Sequence, residues 1–218
     1  EEGQLSLEVT RFPDRQPNAS EVRTAEALMT RGRLAARRHG WARFERALDQ
    51  GFRPMEFLKG GWVLHLIHEG HVFDGVDVDP ERPEALVYAN TSFGGAPSGA
   101  GVVLLGMMFV SSGGNAAEGP QVAGPPTKWH FHMFHSSALP FGVCFRGGIL
   151  VTGYPTVRDG GGASCKPGEV RSRRSPEMLH LWLPDNLEAP VDSSLAGLEA
   201  AFATEMSPIA QERYESAG

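Results

Sequence analysis

An α+β domain is expected, with an N-terminal helix pair, an antiparallel β-sheet or barrel-like core, and a C-terminal helix. Three observations lead there. Apolar residues recur at helical spacing over about 18–52 and again over about 193–206. Between them, about 60–185 holds six short runs dense in apolar residues, parted by loops rich in Gly, Pro and Ser. The 218-residue chain has no internal repeat and no linker long enough to divide it, so 1–218 reads as a single domain.

Taken in order, Leu5, Leu7 and Val9 alternate with Ser6, Glu8 and Thr10, the period of a short strand over 5–11. Asn18-Ala19-Ser20-Glu21 is a capping-box pattern: the Asn18 side chain caps the helix start and Glu21 reaches back to it. Val22, Ala25, Met29 and Ala36 carry the helix on; Gly32 weakens it and Gly40 ends it. A second helix over 41–50 sets Trp41, Phe44 and Leu48 on one face and stops at Gly51. Arg31, Arg33, Arg37 and Arg38 read as a solvated helix face. Strands follow over 62–68, 84–89, 102–110, 128–134, 141–152 and 178–183. The third is nearly all apolar and therefore central. Leu195, Leu198, Ala201 and Phe202 mark the apolar stripe of the closing helix.

Composition excludes several classes. Hydrophobic residues make up 41% of the chain, enough for a sizeable core, so wholesale disorder is excluded. With 26 acidic against 20 basic residues the formal net charge is -6, which argues against a nucleic-acid partner. No run approaches the ~18 apolar residues of a membrane span. The chain opens on Glu1 rather than Met, as a mature protein does once a secretory signal is removed, so a secreted or periplasmic location is expected. In such a compartment Cys144 and Cys165 pair by default, closing a loop of about 20 residues and removing ~3 kcal/mol of chain entropy from the unfolded state; the rival reading is two unrelated thiols, one of them a metal ligand.

The histidines ask for a chemical explanation. Seven of the eight sit in or beside apolar strands: His65, His68, His71, His130, His132, His135 and His180. In Trp129-His130-Phe131-His132-Met133 the strand period puts His130 and His132 on one face and the large apolar residues on the other. Two imidazoles on such a strand are costly to bury unpaired, and a bound metal removes that cost. An antiparallel return brings His180, inside Met178-Leu179-His180-Leu181-Trp182, opposite that pair. In His65-Leu66-Ile67-His68-Glu69-Gly70-His71 the deeper His65 is the candidate, and His68 and His71 fall at a solvated turn. His135 joins the set only if a bulge brings it round.

His130-x-His132 followed by a distant His180 resembles the metal arrangement of cupin barrels. The resemblance is loose, because those barrels carry Glu three or four residues after the H-x-H pair, where this chain has His135 and Ser136. Over most of its length the chain more closely resembles a group of bacterial secreted proteins with Trp-His-x-His, a Cys pair and Met-Leu-His-x-Trp. That group brings no established activity with it.

The expectation is therefore a secreted metalloprotein holding one transition-metal ion, copper or zinc with iron as a third choice, through His65, His130, His132 and His180. Met133 and Met178 adjoin the histidines and suit copper. Three nitrogen ligands leave an open position for a small-molecule substrate, making a metal-dependent oxidoreductase or hydrolase; four make a closed site. The alternatives are a metal carrier without turnover, or a ligand-binding or structural protein whose histidines line an apolar pocket. Other chemistries fit less well. Gly94-Gly95 and Gly160-Gly161-Gly162 do not form a phosphate cradle, and no G-x-S-x-G elbow is present. The acidic string Asp74, Asp77, Asp79 and Glu81 lacks the twelve-residue calcium-loop pattern.

Overall fold

In the computed structural model Asn18 caps the first helix as its sequence requires. Its Oδ1 accepts from the backbone N–H groups of Ser20 and Glu21 at 2.9 and 3.0 Å, and Glu21 accepts from the Asn18 N–H at 2.8 Å. The structure describes residues 6–11, 15–54, 63–90, 102–115, 117–134, 143–146, 149–150 and 165–183. The expected helix over 193–206 and His135 lie outside these residues.

Helix α1 (Ala19–His39) ends where Gly40 turns left-handed at φ 73°. There the Trp41 N–H closes on the Ala36 carbonyl at 3.0 Å and the Gly40 N–H on Arg37 at 3.2 Å. Because Trp41 is spent on closing α1, the next helix cannot begin at it. Helix α2 runs Phe44–Asp49, three residues later than expected. Trp41 is instead buried as an anchor, its indole donating to Gln50 at 2.9 Å.

The strands are β1 (Ser6–Arg11), β2 (Arg53–Pro54), β3 (Val63–Ile67), β4 (Ala85–Asn90), β5 (Val102–Val110), β6 (Trp129–Phe134), β7 (Val143–Arg146), β8 (Ile149–Leu150), β9 (Val170–Ser172) and β10 (Met178–Trp182). A four-residue helix, α3 (Glu69–Val72), follows β3. Seven strands form one antiparallel sheet in the order β1-β6-β10-β5-β4-β3-β2, curled into a half-barrel, so the α+β expectation holds at that level. The expected strand over 141–152 is not part of it. Within that stretch β7 and β8 join β9, which the pattern did not suggest, in a separate three-stranded sheet ordered β8-β7-β9. The Cys144–Cys165 disulfide, with Cα atoms 5.6 Å apart, ties β7 to the segment before β9.

Strand alternation sorts the core into two layers. Leu64, Leu66, Leu86, Tyr88, Met107, Phe109, Leu179 and Leu181 share one cluster with Ala25, Leu28 and Ala35 of α1 and Phe44 and Ala47 of α2. The opposite sheet face holds a second cluster: Ile67, Ala85, Val87, Ala89, Met108, Val110 and Trp182. Among the described residues no helix is long and apolar enough to cross a membrane.

Two glycines set the close approaches to β10. A Cβ on Gly32, in the middle of α1, would come 2.7 Å from a Leu181 methyl, so the residue expected to weaken the helix is where α1 meets β10. A Cβ on Gly106 would lie 2.6 Å from the Leu181 carbonyl oxygen and 2.9 Å from Trp182 Cε3. Gly106 also sits at an irregularity: Val87 pairs with Gly106 but Tyr88 with Leu104, leaving Leu105 extra on β5. Such a bulge bends its strand and increases twist, which promotes the curl.

The two glycines separate in a stability test. In Gly106→Ala the clash is with backbone, which cannot move aside, and the expected loss is about 1–3 kcal/mol. In Gly32→Ala a methyl can rotate away and helix propensity returns about 1 kcal/mol, so the net loss is smaller. Urea midpoints check the order; Gly32→Ala proving the more destabilising would contradict the packing described.

Candidate metal centre

The site is built by register. On β6, Trp129 turns to the helix-covered core and donates its indole N–H to the Pro120 carbonyl at 2.9 Å. The alternate residues His130 and His132 therefore face the other way. His130 pairs with Met178 across β6 and β10, and β10 places His180 two residues on, on the same face as Met178 and Trp182. The β6 edge continues past this pair through Ser175, whose N–H donates to the His132 carbonyl and whose hydroxyl accepts from the His132 N–H, both at 2.9 Å.

His65 arrives from the far side. It stands in the row His65–Val87–Gly106–Trp182 across β3, β4, β5 and β10. In a flat sheet, strands three positions apart lie roughly 14 Å from one another. Yet the His65 and His180 ring centroids are 5.8 Å apart. The curl closes that gap, which puts the imidazoles on its inner side.

His180 is the hub. Its ring lies 5.1 Å from His130, and His130 lies 5.5 Å from His132. Imidazoles that share one tetrahedral ion, each with nitrogen 2.0–2.1 Å from it, have centroids about 5 Å apart. The ring spacings match that separation. The ring orientations do not: no three of these imidazole nitrogens lie within 4.8 Å of one another, so shared coordination needs side-chain rotation. Among the described residues the group that does meet that distance is Cys144, Cys165 and Glu169, and its two cysteines are joined in the disulfide.

The surroundings are dry and graded. His130 and His180 are 1% and 8% exposed, whereas His65 and His132 are only part-buried, so the cluster has a floor and a rim. Neither ring nitrogen of His180 has a hydrogen-bond partner, and Nδ1 of His65 and of His130 is likewise unpartnered. Burial, then the mutual repulsion of the rings, pushes His65 down to about 4 and His130 to about 3; a backbone hydrogen bond at Met178 acts the other way on His130. Burial also lowers His132, and burial with its three neighbours holds His180 well below the ordinary value. All four rings are neutral at pH 7. Neutral imidazoles present lone pairs, the form a metal requires.

The four expected ligands thus occupy one face and one neighbourhood. Met178 lies on that face. Met133, one residue from His132, falls on the opposite face by alternation. Met108, cross-strand partner of His180, takes the place expected of it. Trp182 was also missed as a site residue: its ring stacks on His180 at 4.8 Å and 9°. The available signal was its spacing, two residues from His180 on one strand face. His68 and His71 are not at a solvated turn. They are part-buried, stacked at 3.7 Å, and occupied: His68 Nδ1 accepts from the His71 N–H, capping α3, and His71 Nδ1 donates to the Pro83 carbonyl at 2.8 Å. The acidic string is tied up locally, Asp74 with Arg82, Asp77 with the Ser112 N–H, Asp79 with Arg31, and Glu81 with Arg38 and His39. A groove of about 330 Å³ lined by Arg33, Ala36, Arg37 and Leu104 lies against α1, away from the imidazoles.

These protonation preferences set a pH profile for chelator-treated protein. Each of the four rings titrates lower folded than its ordinary 6.5, so between the two values the unfolded chain binds more protons and stability rises with pH. The gain is complete above about 6.5, with up to ~1.4 kcal/mol per pH unit from each group. Glu84 acts oppositely. It is 2% exposed, and burial pushes its carboxyl up from 4.5 to about 9, so its contribution is full below 4.5 and lost as pH rises toward 9. Urea stability is expected to climb from pH 4.5 to 6.5, where four groups outweigh one, and to decline above 7; Glu84→Gln should steepen the climb and flatten the decline. No climb below 6.5 would contradict the neutral buried cluster. No protein-family model, curated protein or solved structure matches the chain.

Proposed function

We propose that the protein binds one transition-metal ion through His65, His130, His132 and His180, with copper or zinc as the fitting elements and iron a third. The observation that carries this reading is His180, a ring buried to 8% exposure with both nitrogens unpartnered and two further imidazoles within 5.8 Å. Leaving such polar atoms unsatisfied costs on the order of 1–3 kcal/mol each, and an ion that takes the lone pair of one nitrogen in each ring removes that nitrogen's share. Met108 and Met178 favour copper, because thioether neighbours suit its reduced state. The part-buried rim at His65 and His132 supports an open coordination position, and with it a metal-dependent oxidoreductase or hydrolase acting on a small molecule. A carrier without turnover uses the same ligands. The disulfide supports an oxidising compartment, secreted or periplasmic.

One observation favours a second reading. Because the ring nitrogens are not gathered within 4.8 Å, the same face could serve as a pocket for a small apolar ligand with no metal. Elemental analysis of protein purified without added metal separates the two. One equivalent of metal is expected in the parent chain, and loss of it in the His130→Ala/His132→Ala double variant. His68→Ala/His71→Ala should keep it. Full metal retention in the first double variant, or none in the parent chain, would contradict the proposal.

A further inference from the structure

Trp182 is 1% exposed, yet its indole N–H has no hydrogen-bond partner. A buried indole ordinarily finds one, as Trp41 does at Gln50 and Trp129 at Pro120. The exception therefore requires an explanation. The ring is held firmly: it lies face to face with His180 at 4.8 Å, and its Cε3 edge rests against Gly106, where any side chain would collide. In an indole the N–H lies on the long edge opposite Cε3. With Cε3 the ring atom closest to Gly106, the donor edge is the one farther from that residue, on a ring stacked against His180.

We infer that Trp182 is a binding residue of the metal centre, whose N–H donates a hydrogen bond to a non-protein ligand in the open coordination position. That ligand is a small anion or an oxygen-donor molecule, since only an acceptor satisfies the indole. The inference rests on the metal reading of the same cluster and adds what the fifth participant does. Trp182 is no ligand itself. It selects what binds next to the ion, adding one hydrogen bond to the ligand's bond to metal. Gly106 is part of the same device, because a side chain there would collide with the ring.

Azide on zinc-loaded protein tests this. In the parent chain, azide is expected to bind one-to-one and to move one tryptophan indole N–H resonance downfield, the one that disappears in Trp182→Phe. Trp182→Phe should retain one zinc per chain and a cooperative melt while its azide affinity falls about tenfold or more, the effect of losing one hydrogen bond to a charged acceptor. Unchanged azide affinity in the zinc-loaded variant, or azide binding with that resonance unmoved, overturns the inference and leaves the metal reading standing. A zinc-loaded protein that binds no azide also overturns it. Failure of the parent chain to take up zinc at the histidines overturns the metal reading and this inference with it. If Trp182→Phe does not fold, the resonance shift in the parent chain, assigned by selective labelling, decides alone.

Discussion

Everything at the candidate centre depends on the curl of one antiparallel sheet. His65 and His180 belong to strands with two others between them, and they meet only because the sheet bends around their face. The bend has a local cause in the extra residue Leu105 on β5 and the bare backbone of Gly106 beside it. Its outer side is filled by α1 and α2, whose small residues Ala25, Gly32, Ala35 and Ala36 admit the helix closely. Helices cover one face; imidazoles and methionines occupy the other. The fold thus separates an ordinary apolar core from a second apolar layer that carries the imidazoles.

That separation explains why the cluster is chemically unusual. Among the described residues most buried polar groups are satisfied: Glu177 accepts from the Gly119 N–H, Tyr88 donates to the Trp41 carbonyl, and Ser175 bridges to His132. The described histidines outside the cluster are also satisfied, His39 against Glu81 and Trp41, His68 and His71 by backbone and each other. Unpartnered nitrogens gather instead at His65, His130 and His180, with the Trp182 N–H beside them. Among the described residues Asp74, Glu84 and Arg174 each leave one buried side-chain atom without a hydrogen bond as well, but only here do several such nitrogens share one neighbourhood, as the proposed ion site requires. Binding of an ion there would be coupled to folding, since the unfolded chain offers no such arrangement.

Much of this was legible in the residues. Period-two alternation placed His130 and His132 on one face, and apolar density marked β3, β5 and β10 because most of each is buried. The capping box, Gly40 and the Cys pair acted through local chemistry and so were readable locally. What was not legible came from long-range geometry. The bulge at Leu105 leaves no mark in an all-apolar run, so the route by which His65 reaches His180 could not be read. The stretch over 141–152 looked like one more strand of the main sheet, yet β7 leaves it for a sheet of its own, where Cys144 meets Cys165. Met108 was hidden because every residue around it is apolar, and the role of Trp182 because a tryptophan on a buried strand needs no special reason until its N–H lacks an acceptor.

The central claim is that imidazoles from β3, β6 and β10 hold one ion together. X-ray absorption at the metal edge of protein purified without added metal tests it most directly, giving the element and its scatterers at once. The account expects three or four imidazole nitrogens at about 2.0–2.1 Å with the multiple-scattering pattern of the rings. Metal surrounded by sulfur from Cys144 and Cys165, or the absence of any stoichiometric metal, would contradict it.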